Sequence, residues 1–240
     1  MLLIAPFVGS FLGVVVARLP KGESIVAPRS HCPECGSGLG AVELIPLISW
    51  LIQRGRCRRC GQRIDVFHPM MELGAITIAV WAFVAGTGLE IWFLAVLGWL
   101  LLALAAIDQR DGILPNGLVA LVFATAVAEL IILSTDSMLD SILGSVLGFG
   151  FLAALALAYE RLRGIEGLGW GDAKFMGAAG MWVGWQGLPS VLLLASAGAL
   201  AIVLAGSLRG KRVSGHTKLP FGPYLCFATW LVQLYGPVGI

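Results

Sequence analysis

The chain has 240 residues, 58% of them hydrophobic and 12% charged, with a formal net charge of +2. Soluble domains carry about 25% charged residues, so this composition argues against an ordinary soluble globular protein. No basic patch interleaved with aromatics is present, which argues against nucleic acid as a partner.

Long apolar runs point instead to the lipid bilayer as the chain's main surroundings. Residues 91–107 and 189–208 carry no charge, and 113–135 carries only Glu129. The expected fold is an all-α polytopic membrane protein of about eight transmembrane helices. In chain order they are 1–17, 69–86, 90–107, 113–134, 138–159, 173–187, 189–207 and 219–236. The sixth is short and Gly-rich. The 32 glycines suit close approach of helix backbones in lipid.

The first run lacks a basic segment before it, and its first positive charge, Arg18, follows it. No small-residue cleavage pattern comes next, so it reads as a retained helix with its N-terminus outside. All 16 Lys and Arg residues fall in the odd-numbered loops or at their edges; the loops near 86–90, 134–138 and 187–189 have none. By the positive-inside rule the odd loops face the cytoplasm. The one large polar insertion, 18–68, then reads as a small cytoplasmic domain.

That insertion holds two C-x-x-C pairs, Cys32 with Cys35 and Cys57 with Cys60, separated by 21 residues. Two such turns with a spacer near 20 are the pattern of a four-thiolate zinc site. Gly36 and Gly61 follow the pairs, where a tight turn favours glycine. A reducing cytoplasm keeps the thiols available for metal, and a four-Cys site is closed and structural. The alternative is a pair of disulfides or four idle thiols. His31, beside Cys32, is a reserve ligand, and Cys226 reads as a small buried hydrophobe.

Two acids stand out by position: Asp108 at the end of the third span and Asp172 just before the sixth. Acids at the hydrocarbon edge are costly and point to function. Two carboxylates brought together can share a proton, one acting as base on water and the other as acid. The plainer reading is that Asp108 ends one helix and Asp172 caps the next. Gly167, Gly169 and Gly171 favour the functional reading, because they allow close backbone approach by a peptide. Lys174 is either a partner for a carboxylate or a topology charge, and the eight Trp residues read mostly as interface anchors.

Seven blocks in order carry a family resemblance: GSFLGVVVARLP (9–20), SHCPEC (30–35), LIPLISWLIQRGRCRRCGQRI (44–64), HPMMEL (68–73), IDQRDGILPN (107–116), GLGWGDAKFMGAAGMWVGW (167–185) and KLPFGPYL (218–225). The chain resembles the bacterial prepilin peptidases, which are intramembrane aspartyl proteases with a Gly-x-Gly-Asp motif. The resemblance implies that the chain removes the basic leader of type IV prepilins or pseudopilins, at the cytoplasmic face of the inner membrane. It places the catalytic pair on Asp108 and Asp172, with 69–240 as the peptidase bundle. It also implies S-adenosylmethionine-dependent methylation of the new N-terminus, for which Glu72 is the candidate cofactor-binding residue. Two departures bear on methyl transfer: Gly13 stands where the family has Asn, and Phe67-His68 where it has Arg-Tyr. An ion-coupled transporter with a zinc-stapled loop is the competing reading; it expects acids near the midplane and repeated halves.

Overall fold

The computed structural model describes residues 1–27, 29–133, 137–164, 169–208 and 220–238. The expected positions Gly167 and His216, and the basic residues Arg209, Lys211, Arg212 and Lys218, lie outside these. The described residues form α1 (Ala5–Arg18), α2 (Ile48–Ile52), α3 (Phe67–Ala85), α4 (Glu90–Asp111), α5 (Asn116–Leu133), α6 (Met138–Arg163), α7 (Trp170–Leu208) and α8 (Gly222–Tyr235). No strand occurs among them beyond two isolated bridges, His31 with Gly38 and Arg56 with Arg63.

Five helices, α3 to α7, are long and apolar enough to cross a membrane, so the chain is a multi-pass membrane protein. Helices suit lipid because each satisfies its own backbone groups. Two expected spans, 173–187 and 189–207, correspond to the two helical parts of α7, which meet at a kink at Gly184 and not at 188. The backbone leaves helical geometry inside it at Gly184, with φ 66° and ψ 177°. Pro189 follows in the same stretch, where a missing N–H loosens the helical ladder.

The chain forms two compact units, Met1–Ala103 and Leu104–Ile240. In the first, α1 packs on α3 through glycine. A Cβ at Gly9 would lie 2.5 Å from the Glu72 Cα, so only a bare backbone fits. The Trp99 indole N–H donates to the Ala75 carbonyl at 3.0 Å, joining α4 to α3.

In the second unit the α6–α7 seam is the most extensive. A Cβ at Gly148 would lie 2.5 Å from the Met176 carbonyl oxygen, and Gly144 and Gly180 press backbone on backbone. This is small-residue packing of the kind that holds helices together in lipid. The Trp182 N–H donates to the Val122 carbonyl at 2.9 Å, joining α7 to α5. Trp99, Trp182 and Trp230 are buried, which corrects the expectation of interface anchors for these three. Their indoles fill the bundles, and Trp99 and Trp182 also hydrogen-bond facing carbonyls.

Candidate active site and cysteine cluster

Asp108 does not end its helix. Helix α4 runs one turn further, to Asp111, and closes with Gly112 in the left-handed region at φ 67°. The Asp108 side chain therefore faces inward at 6% exposure, whereas Asp111 is exposed. The Asp108 Oδ2 accepts the Gly222 N–H at 2.9 Å, from the start of α8.

Asp172 lies in the first turn of α7, inside the helix rather than before it. Its backbone N–H donates to the Gly169 carbonyl at 3.0 Å, and its carboxylate accepts the Gly169 N–H. The two glycines before it have separate steric reasons. A Cβ at Gly169 would sit 3.3 Å from the Asp172 Oδ2, and one at Gly171 would sit 3.2 Å from the Leu114 Cβ. The second contact lets the start of α7 lie on the Leu114-Pro115-Asn116 segment. Lys174 completes that junction by donating to the Asn116 Oδ1 at 3.0 Å. Its partner is thus an amide.

Asp108 and Asp172 lie within electrostatic reach of each other. Cys226, one turn beyond Gly222 on α8, is buried and within reach of both. Two carboxylates within electrostatic reach of each other, one buried and one half-buried, have the chemistry to share a proton and activate a water. Gly222 and Cys226 carried no assigned role in this pair on sequence grounds. The available signal is Phe-Gly-Pro before an apolar run, which marks a helix start with an unpaired N–H.

In the other unit the four sulfurs of Cys32, Cys35, Cys57 and Cys60 all lie within 4.8 Å of one another. The Cys32 to Cys60 Sγ distance is 3.8 Å. A tetrahedral site with ~2.3 Å metal–sulfur bonds has edges of ~3.8 Å, so the set can hold a metal ion. The two knuckles are copies of one turn. The Gly36 N–H donates to the Cys32 carbonyl and the Gly61 N–H to the Cys57 carbonyl, both at 2.9 Å. Both glycines have positive φ, 67° and 73°, as the tight turn requires.

The four thiols differ in their affinity for protons. The Ser37 hydroxyl and amide pull Cys35 down to about 6. The Gln62 amide pulls Cys60 down, but partial desolvation and the neighbouring sulfurs of Cys57, Cys35 and Cys32 outweigh it and push Cys60 up to about 12. His31 instead turns its Nδ1 to the Arg29 carbonyl at 3.0 Å.

Glu72 is buried on α3 at 7% exposure, and its Oε2 accepts the Leu47 N–H at 2.7 Å. Leu47 has φ 59° and ψ −50°, with the Ile48 N–H reaching the Pro46 carbonyl at 2.6 Å. That is a γ-turn of the rare positive-φ form, strained for a branched residue. One turn away on α3 is His68, whose Nδ1 would lie 3.1 Å from a Cβ at Gly13. The two departures noted in the sequence are therefore neighbours. The bulk at 68 sits where 13 has no side chain.

Residues 3–85 match the family model of the Bacterial Peptidase A24 N-terminal domain, and residues 95–204 match that of the Type IV leader peptidase family. Among curated proteins the chain is similar to several named Prepilin leader peptidase/N-methyltransferase. That of Aeromonas hydrophila is 35% identical, over 98% of this chain and 89% of its own length. That of Pseudomonas putida is 36% identical, over 95% and 87%. That of Burkholderia pseudomallei (strain 1026b) is 35% identical, over 91% and 79%. No solved structure matches the chain.

Proposed function

From the premise that the chain belongs to the type IV leader peptidase family, we infer that it cleaves the basic leader from prepilins or pseudopilins, with Asp108 and Asp172 as the catalytic pair. The observation that supports the assignment is that these two carboxylates, one buried on α4 and one half-buried on α7, lie within electrostatic reach of each other. Asp111, three residues from Asp108, stays exposed.

In this reading one carboxylate takes a proton from a water, whose oxygen forms a bond to the scissile carbonyl carbon. The partner carboxyl gives its proton to the departing amine as the C–N bond breaks. Neither group stays covalently attached to substrate, and the shared proton is restored at the end.

The eight-span topology is part of the same proposal. It takes α1, α3, α4, α5, α6, the two parts of α7 on either side of Gly184, and α8 as the crossings. The basic loops then lie in the cytoplasm of a bacterial cell with the inner membrane as host. Cys32, Cys35, Cys57 and Cys60 would hold one zinc ion, which when bound crosslinks the 18–68 domain.

The relatives' names carry methyl transfer as well as cleavage. For this activity Glu72 is the candidate residue, with S-adenosylmethionine as donor. Glu72 has one oxygen committed to Leu47, which favours a role in holding the cysteine-rich loop for that reaction. Family membership sets aside the ion-coupled transporter.

The test is the purified protein in detergent with a synthetic prepilin. Leader release is expected, and added S-adenosylmethionine should increase the mass of the mature product by one methyl group. An intact substrate after incubation with folded protein would overturn the peptidase reading.

A further inference from the structure

Helix α8 begins at Gly222 after Phe221, which offers no side-chain cap. The next residue, Pro223, has no N–H. The Tyr224 and Leu225 N–H groups both turn to the Phe221 carbonyl, at 3.1 and 3.2 Å. The Gly222 amide is thus the donor that the helix start presents outward, and its acceptor is the Asp108 Oδ2, 114 positions away in sequence. A Cβ on Gly222 would lie 2.6 Å from that Oδ2, 2.8 Å from the Asp108 Cγ and 3.0 Å from its Cβ. The carboxylate occupies the volume a side chain would take, and Asp108 is too buried to move aside freely.

We propose that Gly222 is a positioning residue for the peptidase reaction: its amide fixes the Asp108 carboxylate, and its missing side chain makes room for it. The inference rests on the reading of Asp108 as a catalytic acid. An N–H at a helix start favours the ionised form of the carboxylate it meets. The same bond sets the direction of the free oxygen. Asp172 has the matching arrangement with the Gly169 amide, so each carboxylate is aimed by one glycine from outside its own position.

Two variants of the full chain separate the two parts of this role. Replacing Gly222 by glycolic acid turns its amide into an ester, removing the N–H and adding no bulk. Gly222→Ala keeps the N–H and adds the Cβ. Cleavage of a synthetic prepilin in detergent is followed against pH, with thermal unfolding as the check on folding. The ester should leave KM unchanged, lower kcat by about tenfold or more, and move the acidic limb of the profile up by about one pH unit. The sign follows because losing a donor to the charged form raises the carboxyl's affinity for protons. Gly222→Ala should lower kcat further, by about 100-fold.

An ester variant with the parent's kcat and acidic limb overturns the inference. So does a drop in kcat with an unmoved acidic limb, since a merely structural role would give that. Asp108→Asn, run alongside, keeps the two readings apart. If it still cleaves, the assignment of the catalytic pair fails; if it is dead while the ester behaves as the parent, only the role of Gly222 fails.

Discussion

Substituting Gly148 by Ala tests how tightly the α6–α7 seam governs the site. The new Cβ would lie 2.5 Å from the Met176 carbonyl oxygen, whereas carbon–oxygen contacts settle near 3.3 Å. The backbones must part by about 0.8 Å, and no flexible side-chain end is available to absorb it. Overpacking of this kind costs roughly 1–3 kcal/mol. Met176 is one helical turn from Asp172, so the displacement reaches the carboxylate. A misplacement near 1 Å costs on the order of 100-fold in rate. Gly150, two residues along α6, has nothing within 4 Å of its would-be Cβ, and Gly150→Ala is the matched control. Thermal unfolding in detergent and prepilin cleavage are measured for both. Gly148→Ala should melt several degrees lower and lose 10- to 100-fold in cleavage, while Gly150→Ala matches the parent. A Gly148→Ala protein as stable and as active as the parent would refute the seam's role.

Other expectations concern the first unit. Gly13→Asn alone should destabilise it by about 1–2 kcal/mol through His68, and His68→Tyr added to it should change that cost non-additively in a double-mutant cycle; strict additivity would mean the two positions do not touch. Elemental analysis of reduced protein should find one zinc per chain, and Cys57→Ser should lose the metal and open 18–68 to protease while leader cleavage falls less than threefold. A metal-free wild-type protein with a protected loop would count against this. Glu72→Ala should release the strained turn at Leu47, lowering methyl transfer about tenfold or more and sparing cleavage; equal losses of both activities would point to general unfolding instead.

Hydropathy exposed most of the architecture, because lipid leaves each crossing segment few choices but an apolar helix. The ends of α3, α5 and α8 fall within three residues of the expected spans. The four cysteines were readable for a different reason: two short turns of fixed length bring four sulfurs to one point wherever the spacer folds back. The break in α7 was harder to locate. The low-hydropathy dip near 187–189 suggested a loop, yet the chain stays helical there and departs at Gly184. Asp108 looked like a helix end because its next neighbours are polar, but α4 continues for another turn and carries the carboxylate inside. Contacts across long separations, such as Gly222 with Asp108 or Glu72 with Leu47, leave no periodic trace in a single sequence.

The central claim is that Asp108 and Asp172, and not Asp111, perform the cleavage. Its most direct test is the rate of leader removal from a synthetic prepilin by three variants, each confirmed to be folded and inserted. Asp108→Asn and Asp172→Asn should each release no product above the uncatalysed background, with Asp111→Asn retaining more than half of the parent rate. Cleavage by Asp108→Asn together with a dead Asp111→Asn would contradict the account.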